Sequence, residues 1–175
     1  PRGAVAKFAA AGKDVGKKDI GMIAMSYGNV YVAHIALGAN PLQTIKAFHE
    51  AESWPGPSLL IAYSHCIAHG IDMRAAMHHQ REAVDSGHWP LYRFDPRLAD
   101  HRPFHLDSRD PSIPFKEFAA KEARFAMLSR SDPERAAHLF GLAQADIDER
   151  WRLYKQMAGV ERVAPELPED EEETS

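Results

Sequence analysis

The sequence predicts an α/β fold over its first two-thirds, followed by helices. Three observations carry this reading. Residues 30–64 read as strand, helix, strand, which is a βαβ unit. The two strand segments are short, apolar and rich in branched side chains. From Pro114 onward the apolar residues recur instead at helical spacing.

Taken in order, "GAVAKFAAAG" (3–12) is small and helix-permissive and is closed by Gly12. "DIGMIAMSYG" (19–28) predicts a short helix, with Asp19 as N-cap and Gly28 as the stop. "VYVAHIAL" (30–37) predicts a strand, and Gly38-Ala39-Asn40 a turn. Asn40 and Pro41 then mark a helix start, and Leu42, Ile45, Phe48 and Ala51 give it an apolar stripe. "PGP" (55–57) ends it. "SLLIAYS" (58–64) is almost wholly apolar, the pattern of a strand buried on both faces in a parallel sheet.

Beyond Gly70, Asp72 caps a helix whose stripe is Met73, Ala76, Met77 and Val84, ended by Gly87. "WPLYRFDP" and "PFHLDS" are proline-bounded and read as edge strands. "PFKEFAAKEARFAMLSR" predicts one helix, with Phe115, Phe118, Ala119, Glu122, Phe125 and Leu128 in period. "SDPER" reads as a capping box with Ser131 at the N-cap and Glu134 at the third helical position. Asp146 is expected to cap a last helix that ends at Gly159. Two central strands make a poor sheet, and the chain opens "PRGAVAKFAAAGK" without methionine. Both features predict the second half of a larger α/β domain.

The chain has 175 residues, of which 45% are hydrophobic and 26% charged, so it can build a real core. Its net charge is −4, but six acids (Glu166, Glu169, Asp170, Glu171, Glu172 and Glu173) crowd the end. Removing those six from the net −4 leaves +2 for residues 1–163. The body is therefore near neutral, with no basic stripe that would favour nucleic acid. No apolar run is long enough to span a membrane. The acidic end, 161–175, is expected to be disordered.

Cys66 is the single cysteine. It cannot form an internal disulfide, and a lone thiol suits a reducing, cytoplasmic setting. It stands where an apolar strand meets a loop, and ligands of open α/β sheets collect outside such strand ends. The spacing alone leaves several readings open. Cys66 can be a packed core thiol, the plainest reading, or a nucleophile, or a metal ligand. His65, Cys66 and His69 could together approach a zinc ion, although adjacent residues of a persisting strand point to opposite faces. His78 and His79 read as a partly exposed helix face. "SYGN" (26–29) reads as a plain turn that could also aim backbone amides at a ligand. A stand-alone binding module with a helical extension is the non-enzymatic alternative.

The wording of the sequence adds a resemblance. "KKDIGMIAMSYGNVYVAHIALGANPLQTIKAFHEAESWPGPSLLIAYSHCIAHGIDM" resembles the C-terminal domain of pyruvate:ferredoxin (flavodoxin) oxidoreductase, as do the flanking "PRGAVAKFAAAGK" and "AVDSGHWPLYRFDP". The resemblance implies a segment of a large thiamine diphosphate enzyme. Such enzymes oxidatively decarboxylate pyruvate, pass the acetyl unit to coenzyme A, and send electrons through [4Fe-4S] clusters to ferredoxin or flavodoxin. It implies that residues 1–110 are the C-terminal half of the thiamine diphosphate-binding domain and 111–160 a helical extension. It implies that Cys66 is the fourth ligand of the cluster nearest the thiamine, the other three lying upstream. The glycine-rich motif for diphosphate and Mg2+ is expected just before Pro1, so no residue here is assigned to either. The full-length enzyme is expected to be a cytoplasmic homodimer, and the fragment alone to be inactive. The family usually has proline before this cysteine, where this chain has His65.

Overall fold

The computed structural model describes residues 1–99 and 101–161. The acidic tail expected over 161–175 therefore lies, beyond Glu161, outside the described residues. The helices are α1 (Ile20–Met25), α2 (Pro41–Ser53), α3 (Ala76–Asp85), α4 (Phe115–Ala119), α5 (Ala123–Ser131) and α6 (Pro133–Ala158). The strands are β1 (Tyr31–Ile35), β2 (Ser58–Ala62), β3 (Tyr92–Phe94) and β4 (Phe104–Leu106).

The strands form one sheet in the order β2-β1-β3-β4. β1 and β2 are parallel, with Tyr31 opposite Ser58 and Ile35 opposite Ala62. β3 runs antiparallel to β1, pairing Val32 with Phe94, and β4 runs antiparallel to β3. The α/β class and the βαβ unit thus hold, while the expected parallel sheet is corrected to a mixed one. The link from β3 to β4 is short, and strands joined that way pair antiparallel. β3 is interior rather than an edge, because Pro90 and Pro96 fall outside its three residues and no ladder donor is lost. β2, expected to be buried on both faces, is instead the edge of the described sheet and half-exposed.

Alternation along β1 separates the two faces. Tyr31, Ala33 and Ile35 pack with Ala47 of α2 on one side. Val32 packs on the other with Ala24 and Met25 of α1, Tyr92, Phe94, Phe104 and Tyr154 of α6. A further core joins Ala36, Trp89 and Leu91 to Phe115, Phe125, Leu139 and Phe140. The helices after Pro114 therefore pack directly on the α/β portion.

Asp19 caps α1 by accepting from the Met22 amide at 2.9 Å, and Asn40 caps α2 by accepting from Gln43 at 3.0 Å. The orientation of α2 departs from the sequence pattern. Its buried face is Gln43, Thr44 and Ala47, while Leu42 (77% exposed), Ile45 and Phe48 (57%) face outward. The cause is a buried cation. Arg93 of β3 donates to Glu50 of α2 at 2.7 Å and to Asp107 at 2.8 Å, and Gln43 also donates to Asp107. A buried guanidinium must keep its carboxylates, so the polar face of α2 turns inward.

Other local expectations change. Residues 3–12 form turns with an Ala6–Ala9 bridge rather than a helix, since Gly3 and Gly12 both adopt positive φ and the Val5 amide donates to Arg124 O. The helix expected from Pro114 breaks at residues 120–122, yet all six periodic positions are buried. Asp132, not Ser131, caps α6, accepting from the Arg135 amide at 3.0 Å. α6 runs unbroken through Asp146, which binds Arg2 at 2.7 Å instead of capping, and it ends at Gly159.

Candidate functional site

The loop after β2 carries Cys66. The β1–β2 pairing continues one step beyond β2, where the Tyr63 amide donates to Ile35 O at 2.9 Å. Cys66 itself is extended, half-buried and a free thiol. It precedes a short 3₁₀ turn, Ile67–His69, in which the His69 amide donates to Cys66 O at 2.9 Å. Gly70 closes the turn at φ +70, in the left-handed region that glycine tolerates.

Three tethers outside the loop fix it. The first is Gln80 of α3. Its Oε1 accepts from the Gly38 amide at 2.8 Å, so its amide nitrogen is the group facing His65 Nδ1, also at 2.8 Å. That nitrogen can only donate, which makes His65 Nδ1 the acceptor and puts the ring proton on Nε2. The second tether is Tyr63, whose hydroxyl donates to Glu122 Oε1 at 3.3 Å. The third is the backbone bond from Ala123 N to Gly70 O, beside which Arg124 Nη1 donates to His69 Nε2 at 3.3 Å.

Glu122 is the centre of this support. Its side chain is fully buried and meets His79 Nε2 at 2.8 Å, and it is paired with Arg124. Burial alone would raise its pKa, but the His79 hydrogen bond and the Arg124 charge outweigh that and hold it below the usual carboxylate value. Tyr63 is pushed above its ordinary value by burial and by the Glu122 charge. His69 is lowered by burial and then by Arg124. Because His69 Nε2 accepts from Arg124, its proton belongs on Nδ1, a buried atom with no hydrogen-bond partner.

The structure separates the histidines named from sequence. His65 and His69 flank Cys66 in one loop. His78 is exposed and lies 3.2 Å from Glu82, as a helix face would have it. His79 is not on that face: it is buried, bonded to Glu122 and stacked on Phe118 with ring centroids 4.8 Å apart. Among the described residues no three His, Cys, Asp or Glu side chains converge as a metal site, so the zinc reading of His65, Cys66 and His69 finds no support. "SYGN" is a turn with Gly28 at φ +77. Sequence reasoning missed Glu122, Gln80 and Arg124 as supports. A signal for the first was present: Glu122 is the one carboxylate in an otherwise apolar helical period.

A [4Fe-4S] cluster needs four thiolates, and this chain offers one. One feature of the loop suits a single contributed ligand: Cys66 is a free thiol that is only partly buried rather than sealed in the core. No helix among the described residues is long and apolar enough to cross a membrane.

No protein-family model matches the chain. Individual proteins do. A "putative pyruvate-flavodoxin oxidoreductase" of Synechocystis is 58% identical over 160 residues, 90% of this chain and 13% of that protein. The pyruvate-flavodoxin oxidoreductase of Trichormus variabilis is 53% identical over 163 residues, 92% of this chain and 14% of its own length. The pyruvate:ferredoxin oxidoreductase of Moorella thermoacetica is 49% identical over 158 residues, 89% of this chain and 14% of its own. The chain thus spans about one-seventh of the curated relatives it matches. Identity at this level over nine-tenths of the chain makes it a homologue of one segment of the pyruvate-flavodoxin and pyruvate:ferredoxin oxidoreductases.

Proposed function

We propose that this chain is a segment of a pyruvate:ferredoxin or pyruvate:flavodoxin oxidoreductase, and that it supplies Cys66 as one thiolate ligand of a [4Fe-4S] cluster. The reaction is the oxidative decarboxylation of pyruvate with coenzyme A to acetyl-CoA and CO2, releasing two electrons to ferredoxin or flavodoxin. In this reading residues 1–110 also form a wall of the thiamine diphosphate site. The diphosphate, its Mg2+ and the three further cysteines are held by the rest of the polypeptide, and the complete protein is a cytoplasmic homodimer. The observation that carries the reading is the placement of Cys66: a solitary, partly buried thiol at the carboxyl end of a parallel strand pair, in a loop held by three tethers.

When bound, the cluster supplies one-electron storage and transfer. The chain's own residues supply position. Gln80 fixes the His65 ring, leaving its Nε2–H as a donor on the loop that carries the thiolate. Glu122 holds Tyr63 on one side of Cys66 and Arg124, which reaches His69, on the other. Donors beside a cluster sulfur stabilise its reduced, more negative state. The outward-facing Leu42, Ile45 and Phe48 suit a segment whose surface is covered by the rest of a larger protein.

The test is anaerobic capture of the native polypeptide that contains this chain, followed by visible absorbance before and after pyruvate and coenzyme A. Iron–sulfur absorbance that bleaches on addition supports the reading. A colourless protein with the mass of this chain alone overturns it.

A further inference from the structure

We infer that the cleft between α6 and residues 16–21, beside His34 of β1, is a binding site for a small oxyanion, a phosphate or a short carboxylate. The cleft encloses about 90 Å³ and is bordered by Lys17, His34, His88, Trp89 and Arg150. It does not include Cys66, and the inference is independent of the cluster reading.

Its charges do not balance. Arg150 spends Nη2 on two backbone carbonyls, Gly87 O at 3.2 Å and His88 O at 3.0 Å, while its Nε is buried and has no partner. Lys17 stands at the exposed rim with its ammonium 4.9 Å above the Trp89 ring. Neither cation has a carboxylate partner among the described residues. Two acids also border the cleft, against Arg2, Lys17, Lys18 and Arg150: Asp146 is neutralised by Arg2, while Asp19 keeps its negative charge. Asp146 binds Arg2 through both oxygens, and Asp19 accepts from the Met22 amide and from the Tyr154 hydroxyl. The two imidazoles add no compensating negative charge. His34 directs Nδ1 at Pro90 O, 2.6 Å away, so that nitrogen donates and the neutral ring keeps Nε2 as an acceptor.

Nearby positive charge adds to burial in lowering two groups of the cleft, and Asp19 opposes it at Lys17. Burial, followed by the Arg150 and Arg124 charges, lowers Lys17. His88 is lowered by burial and then by the same two guanidiniums. Confined positive potential over low-dielectric walls is the condition that concentrates an anion. A guanidinium donor and an ammonium at one cleft match the acceptor-rich edge of a carboxylate or phosphate, and the space admits one such group.

The test is titration of the full chain with inorganic phosphate and, separately, acetate, at ionic strength held constant with chloride. The readout is the amide nuclear resonance of Gly87 and His88 and the indole resonance of Trp89. Saturable shifts confined to these groups support the site, and the tighter-binding ion tells a phosphate source from a carboxylate one. Lys17→Gln, a substitution at the exposed rim that leaves the fold intact, is expected to weaken binding by at least ~10-fold, and Arg150→Gln to abolish it. Shifts that never saturate, that chloride reproduces, or that persist unchanged in Lys17→Gln overturn the inference.

Discussion

The Ala123 amide donates to the Gly70 carbonyl at 3.3 Å, tying the loop that carries Cys66 to the first turn of α5. A Cβ placed on Gly70 would stand 2.2 Å from the Ala123 Cβ. Gly70→Ala therefore meets both a steric clash and an unfavourable φ, and is expected to cost about 2–4 kcal/mol. Gly28 is the control. It has a similar φ of +77 but nothing within 4 Å of its added Cβ, so Gly28→Ala is expected to cost only about 1 kcal/mol. Urea unfolding of the two variants measures the difference.

Glu122, itself fully buried, gathers Tyr63, His79 and Arg124. Glu122→Ala removes the carboxylate from buried His79 and from a partly buried guanidinium, and a loss of about 2–4 kcal/mol is expected. Glu122→Gln keeps the shape and an acceptor, and should cost less. Equal stability of Glu122→Ala and the parent chain in urea would remove Glu122 from its central place.

How much of this was legible beforehand differs by residue. The helix caps Asp19 and Asn40 act locally, within one turn, and the sequence displays them. That Cys66 lies in a loop after an apolar strand was legible from the strand and its flanking turn residues. The orientation of α2 was not, because Arg93 and Asp107, which turn its polar face inward, lie more than forty residues away. The same holds for His79, whose partner Glu122 is 43 positions on. Apolar period locates a helix; it does not reveal which face a distant buried charge will claim.

The outward stripe of α2 gives a prediction for the chain by itself. Leu42→Lys and Phe48→Glu replace exposed groups and are expected to change unfolding free energy by less than about 0.5 kcal/mol. Association of the parent chain through this patch is expected to fall in both variants, as sedimentation velocity at rising concentration would reveal. A large loss of stability in either variant would mean that the stripe is core after all.

Acid should destabilise the chain. Burial pushes His34 down to about 4, below its ordinary value near 6.5. Between those two values the unfolded chain binds the proton and the folded chain does not, so stability falls as pH drops from 6.5 toward 4. The expected loss from this one group is on the order of 3 kcal/mol. Glu122, held below its ordinary value, loses its contribution in the same direction as pH falls further. Unfolding midpoints across this range should drop more steeply for the parent chain than for His34→Phe, which keeps a ring against Trp89 but has no proton to gain.

The most direct measurement is iron content and visible absorbance of the complete polypeptide carrying Cys66→Ala, purified without oxygen beside the parent. The account predicts that the variant loses about four iron atoms, one cluster, while the remaining clusters stay. Equal iron and an unchanged spectrum in the two proteins would contradict the assignment of Cys66 as a cluster ligand.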